Sequence, residues 1–183
     1  MPPVTISLDL LKQVREFADW FVKFPNALVE AVMGPVGTYH EQSARIRRYA
    51  ELGELREIGK IVQRLYLTKG SIVDWMQSVQ RDADPQEVQY VRDMCSEVVE
   101  GLVRLERILR KLSFSNTALA VDAARQIPRG LALYRELRDL PDAALMNDEA
   151  MVEVAKLVER MGDAGSDLIS RLDTHRRVLD GSH

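Results

Sequence analysis

The chain has 183 residues, 46% of them hydrophobic and 29% charged, with a formal net charge of −3. A globular chain of this size buries roughly 70% of its unfolded surface; its composition excludes a disordered polyelectrolyte, and its charge gives no global attraction to nucleic acid or anionic lipid. The single cysteine, Cys95, excludes an internal disulfide and cysteine-based zinc clusters.

The opening Met1-Pro2-Pro3-Val4 has no basic region ahead of an apolar run, so no signal peptide is expected. No stretch approaches ~18 uncharged apolar residues, so no membrane span is expected and the cytoplasm is the default location. Strand signals are nearly absent, with no sustained period-2 alternation and no Asn-Gly or Asp-Gly hairpin turn. The expected fold is all-α: residues 1–183 as a single up-and-down bundle of five or six helices with heptad seams.

The first helix is predicted over 7–33, with Leu10, Val14, Phe17, Phe21, Phe24 and Leu28 on one face. Pro25 should kink it by removing a hydrogen bond and crowding the carbonyl of Phe21, and Gly34-Pro35 should end it. Three of the four phenylalanines and Trp20 lie here. Such a helix belongs at the centre of the bundle or at a subunit interface.

A second helix, 39–52, is opened by a Thr38–Glu41 capping box. Downstream, Leu55, Ile58, Val62, Leu65, Ile72, Met76 and Val79 keep a 3-4 rhythm broken by Lys69. Run backwards, that register lands on Glu51 and Arg48, whereas the upstream apolar residues are Ile46, Tyr49 and Ala50. The slip predicts a break at Gly53 and a third helix over 54–82, with Gly70-Ser71 as the competing break point. The short turn 81–84 should fold this helix back as an antiparallel hairpin.

The fourth helix, 85–113, is capped by Asp84, Pro85 and Glu87. Val88, Val91, Cys95, Val98, Leu102, Leu105, Leu109 and Leu112 follow spacings of 3 and 4. Met94, Gly101 and Ile108 form a second row, a face wider than a two-stranded coiled coil needs. A fifth stretch, 117–139, carries Ile127, Leu131 and Tyr134 but is interrupted by Pro128, and Pro141 to Met146 reads as a loop. The last helix, 148–180, places Met151, Val154, Val158, Met161, Gly165, Leu168, Leu172, His175 and Leu179 in an unbroken series. Gly181-Ser182-His183 is equally a native end or a tag remnant, so His183 carries no weight.

Within this last helix, Gly162, Ala164 and Gly165 flank the seam, where a missing side chain lets a partner helix approach, while Asp163 and Asp167 fall on the outer face. Together with Glu159 they are also candidate oxygen ligands for a hard divalent ion, although such sites generally use more ligands. Glu159-Arg160-Met161-Gly162-Asp163, with Asp167 four residues on, resembles the acidic helix motif of the PhoU-type phosphate-signalling regulators. That resemblance implies metal on the outside of a helical bundle; it covers a short stretch and does not amount to membership.

Catalytic signals are missing. There is no Glu-x-x-His for a di-iron site, and no nucleophile elbow, phosphate loop or dinucleotide fingerprint. Arg171 and His175 are spaced too closely for the ribonuclease signature of the HEPN helical domains. Cys95, on a seam, reads as a core thiol. His175, also on a seam, is expected to make packing pH-sensitive. The basic stripe Arg45, Arg48, Arg56, Lys60 and Arg64 is interleaved with Glu41, Glu51, Glu54 and Glu57, and reads as a solvated face, as does the cluster Arg104, Arg107, Arg110 and Lys111 near a helix C-terminus.

The sequence therefore predicts a non-enzymatic, cofactor-free interaction or oligomerisation module, a homodimer that also suits a protein partner. Its candidate contact residues are Trp20, Phe21 and Phe24 on the first helix and Gly162, Ala164 and Gly165 on the last. The alternatives are a bundle holding an apolar small ligand, a weak nucleic-acid binder, or a surface metal site at Glu159, Asp163 and Asp167.

Overall fold

The computed structural model describes residues 6–67, 85–112, 116–146 and 149–181. They form six helices: α1 (Leu8–Met33), α2 (Gln42–Leu67), α3 (Pro85–Leu109), α4 (Thr117–Arg138), the short α5 (Asp142–Met146) and α6 (Glu149–Leu179). No strand occurs among the described residues, and none of these helices is long and apolar enough to cross a membrane. The all-α bundle is as the helical periodicity predicts.

Side-chain pairs fix how the helices run. Arg15 with Glu153, Asp19 with Arg160 and Glu30 with Arg171 advance together, so α1 and α6 are parallel. Tyr49 with Asp180, Arg56 with Asp173 and Gln63 with Ser166 run in opposite senses, so α2 and α6 are antiparallel. Glu16 with Arg129 and Trp20 with Asp122 set α4 antiparallel to α1. Glu57 with Arg104 and Ile61 beside Gly101 do the same for α2 and α3. The five long helices close a ring in the order α1, α6, α2, α3, α4 and back to α1. A ring of an odd number of alternating helices must contain one parallel pair, and here it is α1 and α6. The last helix therefore lies between the first two, and the connection 34–41 passes over the C-terminal end of α6.

Local chemistry explains the ends. Ser7 caps α1, its hydroxyl accepting from the Leu10 amide at 3.1 Å, and Asn116 does the same for Leu119 in α4. Gly34, at φ 68°, terminates α1 with its amide on the Glu30 carbonyl. The apolar faces meet in one continuous core, in which Phe17, Phe21, Leu28, Leu55, Leu102, Ile127, Tyr134, Met161 and Leu168 are all essentially inaccessible.

Four sequence expectations need correction. The helix does not break at Gly53: α2 is continuous from Gln42 to Leu67, and the register does run back through Glu51 and Arg48. Glu51 is 8% exposed because Arg48 pairs with it at 2.6 Å and also donates to the Val32 carbonyl, so an ion pair fills the seam where an apolar pair was sought. The Thr38–Glu41 capping box is not formed, since α2 starts later and the Thr38 hydroxyl donates to the Pro35 carbonyl. Pro128 does not interrupt α4; burial of Ile127, Leu131 and Tyr134 on its inner face holds the helix together despite the lost bond, and the ring itself is exposed. Residues 142–146 form a helical turn, not a loop, with Ala144 and Leu145 fully buried. α1 runs through Pro25 from Leu8 to Met33, close to the expected span 7–33. The Gly70-Ser71 break, the 81–84 turn and the Asp84 cap lie outside the described residues.

Candidate functional site

Among the small residues of α6, Gly165 faces the chain's own α2. Gly165 lies against it so closely that a Cβ there would stand 2.5 Å from the Gln63 amide nitrogen and 3.0 Å from the Gly59 carbonyl oxygen. Gly59 reciprocates, with a Cβ falling 2.7 Å from Ile169 Cγ1. Gly162 and Ala164 are buried beside them. Gly59 was not marked in the sequence as a point of close approach, although its place between Ile58 and Val62 puts it on the inner face. Phe21 and Phe24 are also core residues, 1% and 2% exposed. Trp20 is half-buried, stacked on Phe24 at 4.8 Å, and its indole N–H donates to Asp122 at 2.7 Å. All six candidate contact residues thus serve helix contacts within one chain.

Asp163 and Asp167 are exposed and Glu159 is half-buried on the outer side of α6. Among the described residues no group of three His, Cys, Asp or Glu side chains is placed to hold a metal ion. Of the basic stripe, Arg48 is engaged by Glu51 and Arg56 by Asp173; of the α3 cluster, Arg104 meets Glu57 and Arg110 meets Glu106.

Cys95 is wholly buried, and desolvation pushes its thiol up to about 12. A thiol held protonated in a dry core does not react. A chromogenic disulfide reagent is expected to leave the native protein unmodified at pH 8 and to titrate one thiol after unfolding.

His175 is 4% exposed at the end of α6, and its Nδ1 is hydrogen-bonded to the hydroxyl of Tyr39, the buried anchor of the 34–41 connection. Tyr39 carried no signal in the sequence. Around the ring stand Arg171 from α6, whose nearest acid is Glu30 of α1 at 3.8 Å, and Arg48 from α2 with its partner Glu51. Burial first, then Arg171 and Arg48, lower the imidazole pKa below its ordinary 6.5. Protonation would also fix Nδ1 as a donor, so that the tyrosine hydroxyl must accept from it. The sign follows: the unfolded chain takes up a proton near 6.5 that the folded chain refuses, so stability is unaffected above that pH and declines as pH falls below it. The slope cannot exceed about 1.4 kcal/mol per pH unit for one proton. Thermal unfolding between about pH 7.5 and 5.5 is expected to show this loss, and His175→Gln to flatten it.

Among the described residues, two apolar surfaces open to solvent stand out. One is a groove of about 430 Å³ between the end of α3 and α4, lined chiefly by Leu109, Ala120, Ala123, Ala124, Ile127 and Pro128; Val121, 71% exposed, lies on the same helix. The other is on α2. Ile46 is 64% exposed, Tyr49 42%, and Ala50 and Gly53 are exposed with them. Their spacing of i, i+3, i+4 and i+7 makes one stripe, opposite the inner face of Leu52, Leu55, Ile58 and Val62. The slip read as a break in the sequence is the point where a helix carries a second apolar face. The Tyr49 hydroxyl donates to Asp180 at 2.5 Å, which ties its ring to the end of α6 and, before burial, raises its pKa.

Comparison with known proteins returned no matching family model, no matching curated protein and no matching solved structure.

Proposed function

We propose that the protein is a non-enzymatic helical-bundle module that works by protein–protein contact, and that the contact surface is the outer face of α2. The observation that supports this is the exposed stripe Ile46, Tyr49, Ala50 and Gly53, which repeats at helical spacing and is left uncovered by the described residues. Scattered exposed apolar residues are ordinary; four on one stripe are what helix–helix recognition uses.

A photo-reactive amino acid at position 46, activated in cells that make this protein, is expected to trap a discrete protein product, this chain or another. No product, with the substituted chain folded and abundant, would overturn the reading.

The α3–α4 groove favours a second reading, an apolar small molecule, because about 430 Å³ of apolar-lined space lies within the usual range for ligand sites. Native mass spectrometry separates the two: a bound ligand adds a fixed small mass to the monomer at every protein concentration.

A further inference from the structure

We propose that the occupant of the α2 stripe is the same stripe of a second copy, packed antiparallel about a two-fold axis between Tyr49 and Ala50. This rests on the contact reading above and names its partner. Two features of the stripe point to it. First, the stripe is large at one end and small at the other: Ile46 and Tyr49 precede Ala50 and Gly53. An antiparallel two-fold sets Ile46 opposite Gly53 of the second copy and Tyr49 opposite its Ala50, so each large side chain meets a small one. At Gly53 none of the described residues lies within 4 Å of where a Cβ would stand, which leaves room for a partner.

Second, on one flank of the stripe the rim charges are complementary in this arrangement; on the other, Arg45 of each copy falls near Arg56 of the second copy, which Asp173 holds at 2.6 Å. At 100° per residue Arg47 and Glu54 lie on the same flank of the stripe. An antiparallel two-fold brings like flanks together and places Arg47 of each copy about two residues along the axis from Glu54 of the other. Glu54 makes no ion pair among the described residues. Arg47 is 61% exposed and reaches only Glu51, at 3.3 Å, which Arg48 already holds at 2.6 Å. A parallel pair would instead set Arg47 and Glu54 on opposite sides of the seam.

The stripe extends only about 10 Å along the helix, too little length to bury the ~800 Å² per partner of a stable complex. Self-association is therefore expected to be weak and reversible, becoming evident toward about 100 μM.

Sedimentation equilibrium of the full chain from about 5 to 500 μM tests this. The wild type is expected to dimerise, and Arg47→Glu or Glu54→Arg alone to weaken the dimer roughly tenfold, since each reversal makes two symmetry-related rim contacts repulsive. Mixing the two variants should restore association as a heterodimer, because one copy then carries two acids and the other two arginines. The Arg47→Glu/Glu54→Arg double variant should recover the homodimer. Circular dichroism confirms that each variant is folded, and Ile46→Lys, at an exposed position, gives an independent loss of dimer should Arg47→Glu disturb Glu51. A wild type that stays monomeric at about 500 μM, or a dimer indifferent to both reversals, would overturn the antiparallel pairing. A photo-crosslink from position 46 to a different protein would overturn it too, while leaving the contact reading intact.

Discussion

Gly165→Ala is expected to destabilise the protein by about 2 kcal/mol, while the same exchange at Gly53 stabilises it by about 0.5–1 kcal/mol. Both glycines sit inside helices, where alanine is intrinsically favoured by about 1 kcal/mol. At Gly53 that preference acts alone, because a new Cβ meets nothing within 4 Å. At Gly165 it is opposed. The nearest atoms are the Gln63 amide nitrogen at 2.5 Å, Val62 Cβ at 2.9 Å and the Gly59 carbonyl oxygen at 3.0 Å, none of which can rotate out of the way. Relief requires α2 and α6 to move apart, and their contact is the most extensive in the bundle. An overpacking cost near the top of the usual range, about 3 kcal/mol, outweighs the helix preference. In a chain of this size the two variants should melt about 5 °C below and about 2 °C above the wild type. A Gly165→Ala variant as stable as the wild type would show that the α2–α6 spacing is not set by this contact.

Gly165 and Gly59 show how far the sequence could be read. A 3-4 apolar rhythm is a local property, so it placed α3 and α6 to within a few residues and marked Gly165 as a point of close approach. It could not say which helix approaches. That depends on Gly59, more than a hundred residues away in the chain, and on the insertion of α6 between α1 and α2, a consequence of long-range pairing alone. The small and acidic residues of the 159–167 stretch are separated by burial: Gly162, Ala164 and Gly165 are buried, with Gly165 against α2, while Asp163 and Asp167 face solvent.

Where the reading failed, it failed for physical reasons. A rule that treats charged residues as outward-facing could not accept Glu51 and Arg48 on the inner face, so it took a continuous helix for two. Their pairing, with Arg48 also serving a carbonyl at the end of α1, removes the cost that the rule assumes. Ile46, Tyr49 and Ala50, read as the core of a separate helix, are the exposed stripe. Pro128 was read as interrupting a stretch that carries Ile127, Leu131 and Tyr134, but the burial of those three exceeds what the proline removes. Tyr39 could not be found at all, because its role arises from the 34–41 connection crossing the end of α6.

The junction of α1 and α4 offers the second large effect. Phe17 is fully buried, with its ring centroid 5.8–6.3 Å from those of Trp20, Phe21 and Tyr134. Phe17→Ala is expected to cost about 3–5 kcal/mol, a large fraction of the roughly 5–15 kcal/mol that holds a domain of this kind together. The ring lies directly over Gly130: a Cβ there would stand 2.8 Å from Phe17 Cε1 and closer still to Cζ and Cε2. Gly130→Ala alone should therefore cost about 1–3 kcal/mol, because three other aromatic rings deny Phe17 an alternative position. In a Phe17→Leu background the para carbon is gone, and Gly130→Ala should become neutral or mildly stabilising. Urea unfolding of the two single variants and the double should reveal a coupling of at least about 1 kcal/mol. Additive effects would mean that the approach of α1 to α4 is fixed elsewhere, with the Trp20–Asp122 hydrogen bond as the next contact to break. Strong coupling would mean that one glycine sets how deeply the aromatic face of α1 sinks into the bundle. The phenylalanines that looked like an interface in the sequence would then owe their burial to a residue on another helix with no side chain at all.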